Sequence, residues 1–382
     1  MIPYARQAVS KKDIEEVVKV LKSEYLTQGP MVPIFEKAVA SYCGAKFGIA
    51  VNSATSALHL ACLALDLGPG DWLWTSPNSF VASANCALYC GANIDFVDID
   101  PKTCNMSPER LEEKLELAEK IGKLPKIVIP VHFSGQSCDM QKIHQLSNKY
   151  GFKIIEDASH AIGGKYKDKL IGSCTYSDIT ILSFHPVKII TTGEGGMALT
   201  NHSSLAEKII SLRSHGITNK QTPINIKAPD EIWNYHQLNL GFNYRLTDIH
   251  AALGLSQLKK IDSFVKKRQQ IVNWYNYRFR EFPVRTPWVH PLSDSSNHLY
   301  VIHINQAFQK KLYLHLSQKN IKANVHYIPI HLHPYFLNLG FKRGDFPEAE
   351  NHFSTAISLP LYVDLKQRHQ KKVIKSVQEF FN

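Results

Sequence analysis

Apolar positions along the chain fall into two regimes. Near the start they recur at helical spacing. Ser10-Lys11-Lys12-Asp13 has the form of a capping box, and Ile14, Val17, Val18 and Leu21 follow on one face. Thr27-Gln28-Gly29-Pro30 breaks that helix. A second helix carries Phe35, Ala38, Val39 and Tyr42 and stops at Gly44. Thereafter short apolar runs alternate with helices. Strands are expected at Gly48–Val51, Trp72–Thr75, Ile94–Val97, Lys126–His132, Phe152–Glu156 and Ile179–Phe184. Helices are expected at Ser53–Leu67, Ser79–Cys90 and Met140–Tyr150. The alternation predicts an α/β fold with a mostly parallel sheet covered by helices on both faces.

Ile217–His236 is rich in Asn, Thr, Pro and Lys and has no period, which predicts a long surface loop. A long helical pattern then runs from Leu246 to Phe279. From Phe282 onward strands (Leu299–Ile304, Ile321–Tyr327) mix with helices (Gln309–Gln318, and from Gln367 to the end). The expected organisation is a large domain over residues 1–262 and a smaller α+β domain over 263–382, with the N-terminal helix free to pack on the smaller one.

Hydrophobic residues make up 44% and charged residues 20%, a globular balance that excludes a disordered or collagen-like chain. No run approaches the ~18 apolar residues of a membrane span. The N-terminus lacks a signal-peptide core. A cytoplasmic protein without membrane partners is expected. The net charge is +11, from 44 Lys and Arg against 33 Asp and Glu. The positive residues are scattered, and the densest cluster, Lys266-Lys267-Arg268, sits in an amphipathic helix. Solvated helix faces or an anionic metabolite are expected rather than nucleic acid. Seven cysteines without a CxxC pair read as buried free thiols in a reducing compartment.

In open α/β sheets ligands sit beyond the carboxyl ends of the strands, so residues directly after each strand are candidates. Gly48–Val51 runs into Asn52-Ser53-Ala54-Thr55-Ser56 at a helix start. Free N–H groups there suit an anion, although an ordinary Ser N-cap reads the same way. Phe152–Glu156 runs into Asp157-Ala158-Ser159-His160, whose carboxylate could bind a metal, accept a proton or pair with a cation. Ile179–Phe184 runs into His185-Pro186-Val187-Lys188, and a glycine turn, Thr191–Gly196, follows. A lysine there is either a solvated side chain or an amine nucleophile whose pKa burial has lowered. With Phe80, these pieces supply what pyridoxal phosphate needs. They offer a phosphate site at Ser53–Ser56 and an aldehyde-capturing amine in Lys188. Asp157 would keep the pyridine nitrogen protonated, and Phe80 would cover the ring. Once displaced by substrate, Lys188 becomes a free base placed to move a proton between Cα and C4′.

These pieces resemble the DegT/DnrJ/EryC1/StrS sugar aminotransferases over essentially the whole chain. Tyr25-Leu26-Thr27-Gln28-Gly29-Pro30, Gly241-Phe242-Asn243-Tyr244-Arg245-Leu246-Thr247-Asp248 and Ser358-Leu359-Pro360-Leu361 extend the resemblance. It implies a fold-type-I pyridoxal-phosphate-dependent transferase. Lys188 would then carry the Schiff base, Asp157 bind the pyridinium nitrogen, His160 lie near the ring hydroxyl and Phe80 stack on the ring. The backbone of Ala54 and Thr55, with the Ser183 hydroxyl, would hold the phosphate. A homodimer with shared sites is implied, in which Asn243 reaches the phosphate of the other subunit's cofactor. Tyr4, Glu24, Tyr25, Leu26, Thr27, Ala54, Ser183, Asn243, Asn324, Val325, His326 and Tyr327 match positions lining the sugar-nucleotide site.

Within the family, Asn52–Thr55, Ser183–Gly196 and Val325-His326-Tyr327-Ile328-Pro329 look closest to the transaminases of pseudaminic acid synthesis. The implied reaction moves an amino group from L-glutamate, released as 2-oxoglutarate, to C4 of UDP-2-acetamido-2,6-dideoxy-β-L-arabino-hexos-4-ulose. Other readings are a family transaminase for another nucleotide 4-keto sugar, and a non-catalytic sugar sensor on the same fold.

Three further clusters have simpler readings. His298, His303, His326, His331 and His333 are close in sequence, but His-x-His spacing without a Cys or carboxylate is weak support for zinc, and no metal is expected. Asp95, Asp98 and Asp100 lack the glycine of a calcium loop and read as strand-end carboxylates. Gly193-Glu194-Gly195-Gly196 lacks the third glycine and the acidic residue of a dinucleotide fingerprint.

Overall fold

The computed structural model describes residues 1–218 and 233–382. The chain opens with α1 (Lys11–Leu21) and α2 (Met31–Cys43). An alternating stretch follows: β1 (Phe47–Val51), α3 (Ala54–Ala64), β2 (Trp72–Thr75), α4 (Ala82–Tyr89), β3 (Asn93–Phe96), α5 (Pro108–Lys120), β4 (Ile127–Ile129), α6 (Met140–Tyr150) and β5 (Lys153–Asp157). A small hairpin, β6 (Lys165–Tyr166) and β7 (Lys169–Leu170), precedes β8 (Ile179–Ser183), β9 (Gly196–Thr200) and α7 (Ser203–Arg213). The ends of the expected Ile217–His236 loop pair as β10 (Ile217–Thr218) and β11 (His236–Gln237). The rest of that loop lies outside the described residues.

Then come α8 (Asp248–Leu258), α9 (Ile261–Arg278), β12 (Ser293–Asp294), β13 (Tyr300–His303), α10 (Gln306–Gln318), α11 (Pro334–Leu337), α12 (Pro347–Thr355), β14 (Ala356–Leu359) and α13 (Gln367–Phe381). The expected single helix from Leu246 to Phe279 is therefore two helices, broken at Lys259-Lys260. At the break, Lys260 Nζ sits 2.5 Å from the buried Asp13 Oδ2 on α1. α8 packs on α1 and α2, whereas α9 carries Ile271, Val272 and Tyr275 into a separate C-terminal core. One straight helix cannot serve both. Ile2 also joins that C-terminal core, while α1 itself lies on α8.

The seven-stranded sheet has the order β1-β9-β8-β5-β4-β2-β3. β9 runs against both of its neighbours, and the other strands share one direction. Alternate residues of each strand enter opposite cores. Ile49, Leu73, Ile127, Ile155 and Ile179 pack with α3 and α4. Ala50, Leu182 and Met197 face α2 and α8, and Trp74, Val128 and Ile154 face α5 and α6. Burial on both faces explains why the strands read as unbroken apolar runs.

β13 and β14 form an antiparallel pair in the C-terminal part. The strand expected at Ile321–Tyr327 is not continuous. Ile321 bridges Ile2 and Asn324 bridges Ser358, but Val325–Tyr327 leave the ladder and line a cavity. All seven cysteines are free and six are buried. No helix among the described residues is long and apolar enough to cross a membrane.

Candidate active site

The carboxyl ends of β1, β2, β5 and β8 open on one cavity of about 450 Å³. Of the expected residues it gathers Tyr4, Ala54, Thr55, Phe80, Asp157, His160, Ser183, Lys188, Asn324, Val325, His326 and Tyr327. Because β9 is antiparallel, its first residue, Gly196, arrives at the same edge.

Asp157 ends β5 and is buried. Its Oδ2 accepts from Ser83 Oγ at 2.6 Å and its Oδ1 from Ser159 N at 3.1 Å. Ser79 and Ser83 hydroxyls lie 2.8 Å apart. These donors fix the carboxylate plane and leave lone pairs for a cationic N–H in the cavity. Ser83 was missed in the sequence.

Lys188 follows β8 in a tight loop. Phe184 N donates to Gly195 O at 2.9 Å, Thr192 N to Phe184 O at 3.0 Å, and Lys188 N to His185 O at 2.9 Å. Desolvation brings the Lys188 pKa down to about 8, against the opposing pull of Asp157. A substantial neutral fraction is then present near that pH, as a nucleophile needs.

His160 Nδ1 accepts from Ser134 N at 3.3 Å. Nε2 therefore carries the ring proton and donates to Tyr327 Oη at 3.2 Å. The Tyr327 proton remains available to a ligand. Burial, then the nearby Lys188 and His326, hold His160 neutral. His298 packs beside it with the rings tilted and their centroids 4.3 Å apart.

At the opposite end, Ser53 caps α3, its Oγ accepting from Ser56 N at 3.1 Å. The N–H groups of Ala54 and Thr55 have no acceptor among the described residues. The cap and the anion site are thus the same feature. Gly196 makes room for it, since a Cβ there would lie 2.4 Å from Ala54 N.

The remaining wall is ordered by β14. Asn324 Oδ1 accepts from Val325 N at 2.9 Å, which turns its Nδ2 toward His326 Nε2 at 3.2 Å. His326 Nδ1 then donates to Ser358 Oγ at 2.7 Å. The ring of Tyr4 lies 5.5 Å from that of His326. Burial, then Lys188 and His352, bring the His326 pKa down to about 4.

Five expected residues lie elsewhere. Glu24, Tyr25, Leu26 and Thr27 are exposed and do not line this cavity, and Asn243 is exposed on a segment bridged to Ser214. Their motifs also have a structural use. Asp248 accepts from Gly29 N and Met31 N, each at 2.8 Å, so the two pieces clamp one another. The aspartates in and just after β3 are likewise committed. Asp98 caps α12 through Glu348 N and Ala349 N, Asp95 pairs with Lys114 at 2.7 Å, and Asp100 accepts from Thr103 N at 2.7 Å. His331 pairs with Glu350 at 3.0 Å, away from the other histidines.

A family model described as the DegT/DnrJ/EryC1/StrS aminotransferase family matches residues 7–378. The chain belongs to the DegT/DnrJ/EryC1/StrS aminotransferase family. Spore coat polysaccharide biosynthesis protein SpsC of Bacillus subtilis is 38% identical over 385 residues, covering 99% of this chain and 96% of its own. The UDP-4-amino-4,6-dideoxy-N-acetyl-β-L-altrosamine transaminase of Campylobacter jejuni is 37% identical, covering 98% of this chain and 96% of its own. Among solved structures, Helicobacter pylori PseC, an aminotransferase involved in the biosynthesis of pseudoaminic acid, matches with a TM-score of 0.89. The identity is 33%, over 100% of this chain and 99% of that one. Streptococcus pneumoniae Spr1654 in its PLP form has a TM-score of 0.89 at 28% identity, over 99% of this chain and 98% of that one.

The donor set fits pyridoxal phosphate. A buried, braced carboxylate, a depressed lysine amine and a helix start with unclaimed N–H groups line one cavity.

Proposed function

We propose that this protein is a pyridoxal-phosphate-dependent transaminase. It moves the amino group of L-glutamate to C4 of UDP-2-acetamido-2,6-dideoxy-β-L-arabino-hexos-4-ulose, giving UDP-4-amino-4,6-dideoxy-N-acetyl-β-L-altrosamine and 2-oxoglutarate. The observation that carries the chemistry is the union of Lys188, Asp157 and the Ala54–Thr55 amides around one cavity. When bound, pyridoxal phosphate supplies an electron sink for the carbanion at the substrate carbon. Asp157 holds a proton on the ring nitrogen through a charge-assisted bond. Ala54, Thr55 and Ser183 would hold the phosphate, and Phe80, which also lines the cavity, would cover the ring. Lys188 first holds the cofactor through its amine. Once free, that amine would be the base that takes the proton from the substrate carbon. His160, locked as its Nε2–H tautomer, orients Tyr327 toward the ring hydroxyl.

Tyr4 and Asn324–Tyr327 offer rings and amides to the sugar nucleotide. Glu24–Thr27 and Asn243 reach it from a second copy of the chain. The apolar, exposed Tyr25, Leu26, Trp233, Tyr235 and Leu240 on the same segments support such a homodimer. Identity alone does not choose the sugar, because SpsC and the altrosamine transaminase are almost equally similar to this chain. The second reading is therefore a transaminase for another nucleotide 4-keto sugar.

A half-reaction decides between them. The holoenzyme is converted to its amine form with L-glutamate, freed of glutamate, and offered UDP-4-keto sugars one at a time. Return of the visible absorbance with the L-arabino ketone, and the amino sugar by mass spectrometry, supports the proposal. Return only with the D-xylo epimer selects the second reading.

A further inference from the structure

A second cavity, of about 590 Å³, opens between the loop after β3, strand β13 and the Arg280–Val289 segment. At its inner end converge three buried side chains that the reaction above does not use: Cys104, His303 and His352. Cys104 and His303 line the cavity itself. His352 Nε2 lies 2.8 Å from the His326 carbonyl oxygen. A carbonyl only accepts, so Nε2 carries the proton and Nδ1 presents a lone pair. That lone pair is 2.9 Å from His303 Nε2, which is 3.9 Å from Cys104 Sγ. The three donor atoms lie within 4.8 Å of one another.

With Zn–N near 2.0 Å and Zn–S near 2.3 Å, donors on a tetrahedral zinc stand roughly 3.3–3.6 Å apart. The two spacings above straddle that range. We propose that Cys104, His303 and His352 form a zinc site whose fourth position faces the second cavity. The cavity is the entry path. The His352 bond to a backbone carbonyl is the kind of outer contact that orients a metal-bound imidazole. Both imidazoles are neutral, as ligands must be. Burial, then His352 and Arg285, lower the pKa of His303 to about 2, and burial with Arg285 lowers that of His352 to about 4. On binding, the Cys104 S–H bond breaks, a Zn–S bond forms and one proton leaves to solvent. His303 moves its ring proton to Nδ1. Arg285, in the same cavity, favours an anionic fourth ligand such as hydroxide.

The test uses the holoenzyme. It is incubated with zinc chloride and desalted, its zinc is counted, and its affinity is read by competition with a chromophoric chelator. One zinc per chain is expected. Cys104→Ser and His303→Gln should each bind at least about tenfold more weakly, with cofactor absorbance unchanged. Zinc K-edge absorption of the wild-type protein should show one sulfur and two imidazole nitrogens, a reading that needs no variant to fold. No retained zinc overturns the proposal and leaves a buried His–His hydrogen bond. A shell without sulfur, or equal affinity in both variants, also overturns it by moving the metal elsewhere.

Discussion

Lys188 and Asp157 make opposite demands on the same cavity, and each is met by its own surroundings. Desolvation sets the Lys188 amine near pKa 8. Below that pH the amine is protonated and cannot attack. The rate at which cofactor-free protein captures pyridoxal phosphate should therefore rise with pH to a midpoint near 8, and a midpoint near 10 would show a solvated lysine. Lys188→Ala should abolish the visible absorbance of the bound cofactor, and unchanged absorbance would refute the lysine assignment. Asp157→Asn should lower kcat by about 10²–10³. Ser83→Ala removes only a hydrogen bond to that carboxylate, about 1.5–3 kcal/mol, and should lower kcat less, with unchanged circular dichroism. Lys188, Asp157 and Ala54 were legible in the sequence because each stands just past a strand that reads plainly. Ser83 and His298 were not, because they reach the cavity from other parts of the chain and carry no local signature.

Elements were legible where one period dominates. α6 and β2 fall where expected. β9 was not foreseen, because Gly195-Gly196 reads as a turn and Met197-Ala198-Leu199 is too short to show a period. Its first residue is nonetheless decisive. Gly196→Ala drives a Cβ against the backbone of α3, which cannot swing aside as a side chain could. Overpacking of this kind costs about 1–3 kcal/mol, and cofactor affinity should fall together with Tm. The break between α8 and α9 is equally invisible locally, because it follows from the two different cores the helices enter, and Lys260 at the break pairs with Asp13 on α1. Burial pushes the Asp13 carboxyl up, but Lys260, Ser256 and Ser10 outweigh it and bring its pKa down to about 2. Stability from that charge is full above pH ~4, the unfolded value, and fades as pH falls toward 2. Asp13→Ala should flatten that part of the acid-unfolding profile and cost up to about 3 kcal/mol in denaturant melts.

At the scale of the whole molecule, the proposed two-fold pairing puts Asn243 and Lys188 of one active site on different chains. Co-refolding inactive Lys188→Ala with Asn243→Ala should then restore about a quarter of wild-type activity, because statistical pairing leaves one intact site in each mixed dimer. No recovery would place Asn243 with its own chain's lysine. Sequence pattern cannot show such an exchange, since exposed side chains carry no period. The linear order of the cavity has its own consequence. The end proposed to hold the cofactor draws on residues 53 to 196, whereas the wall holding His326 waits for Ser358. During synthesis that end leaves the ribosome first. The residues of that end are thus all available to the nascent chain before those of the wall holding His326.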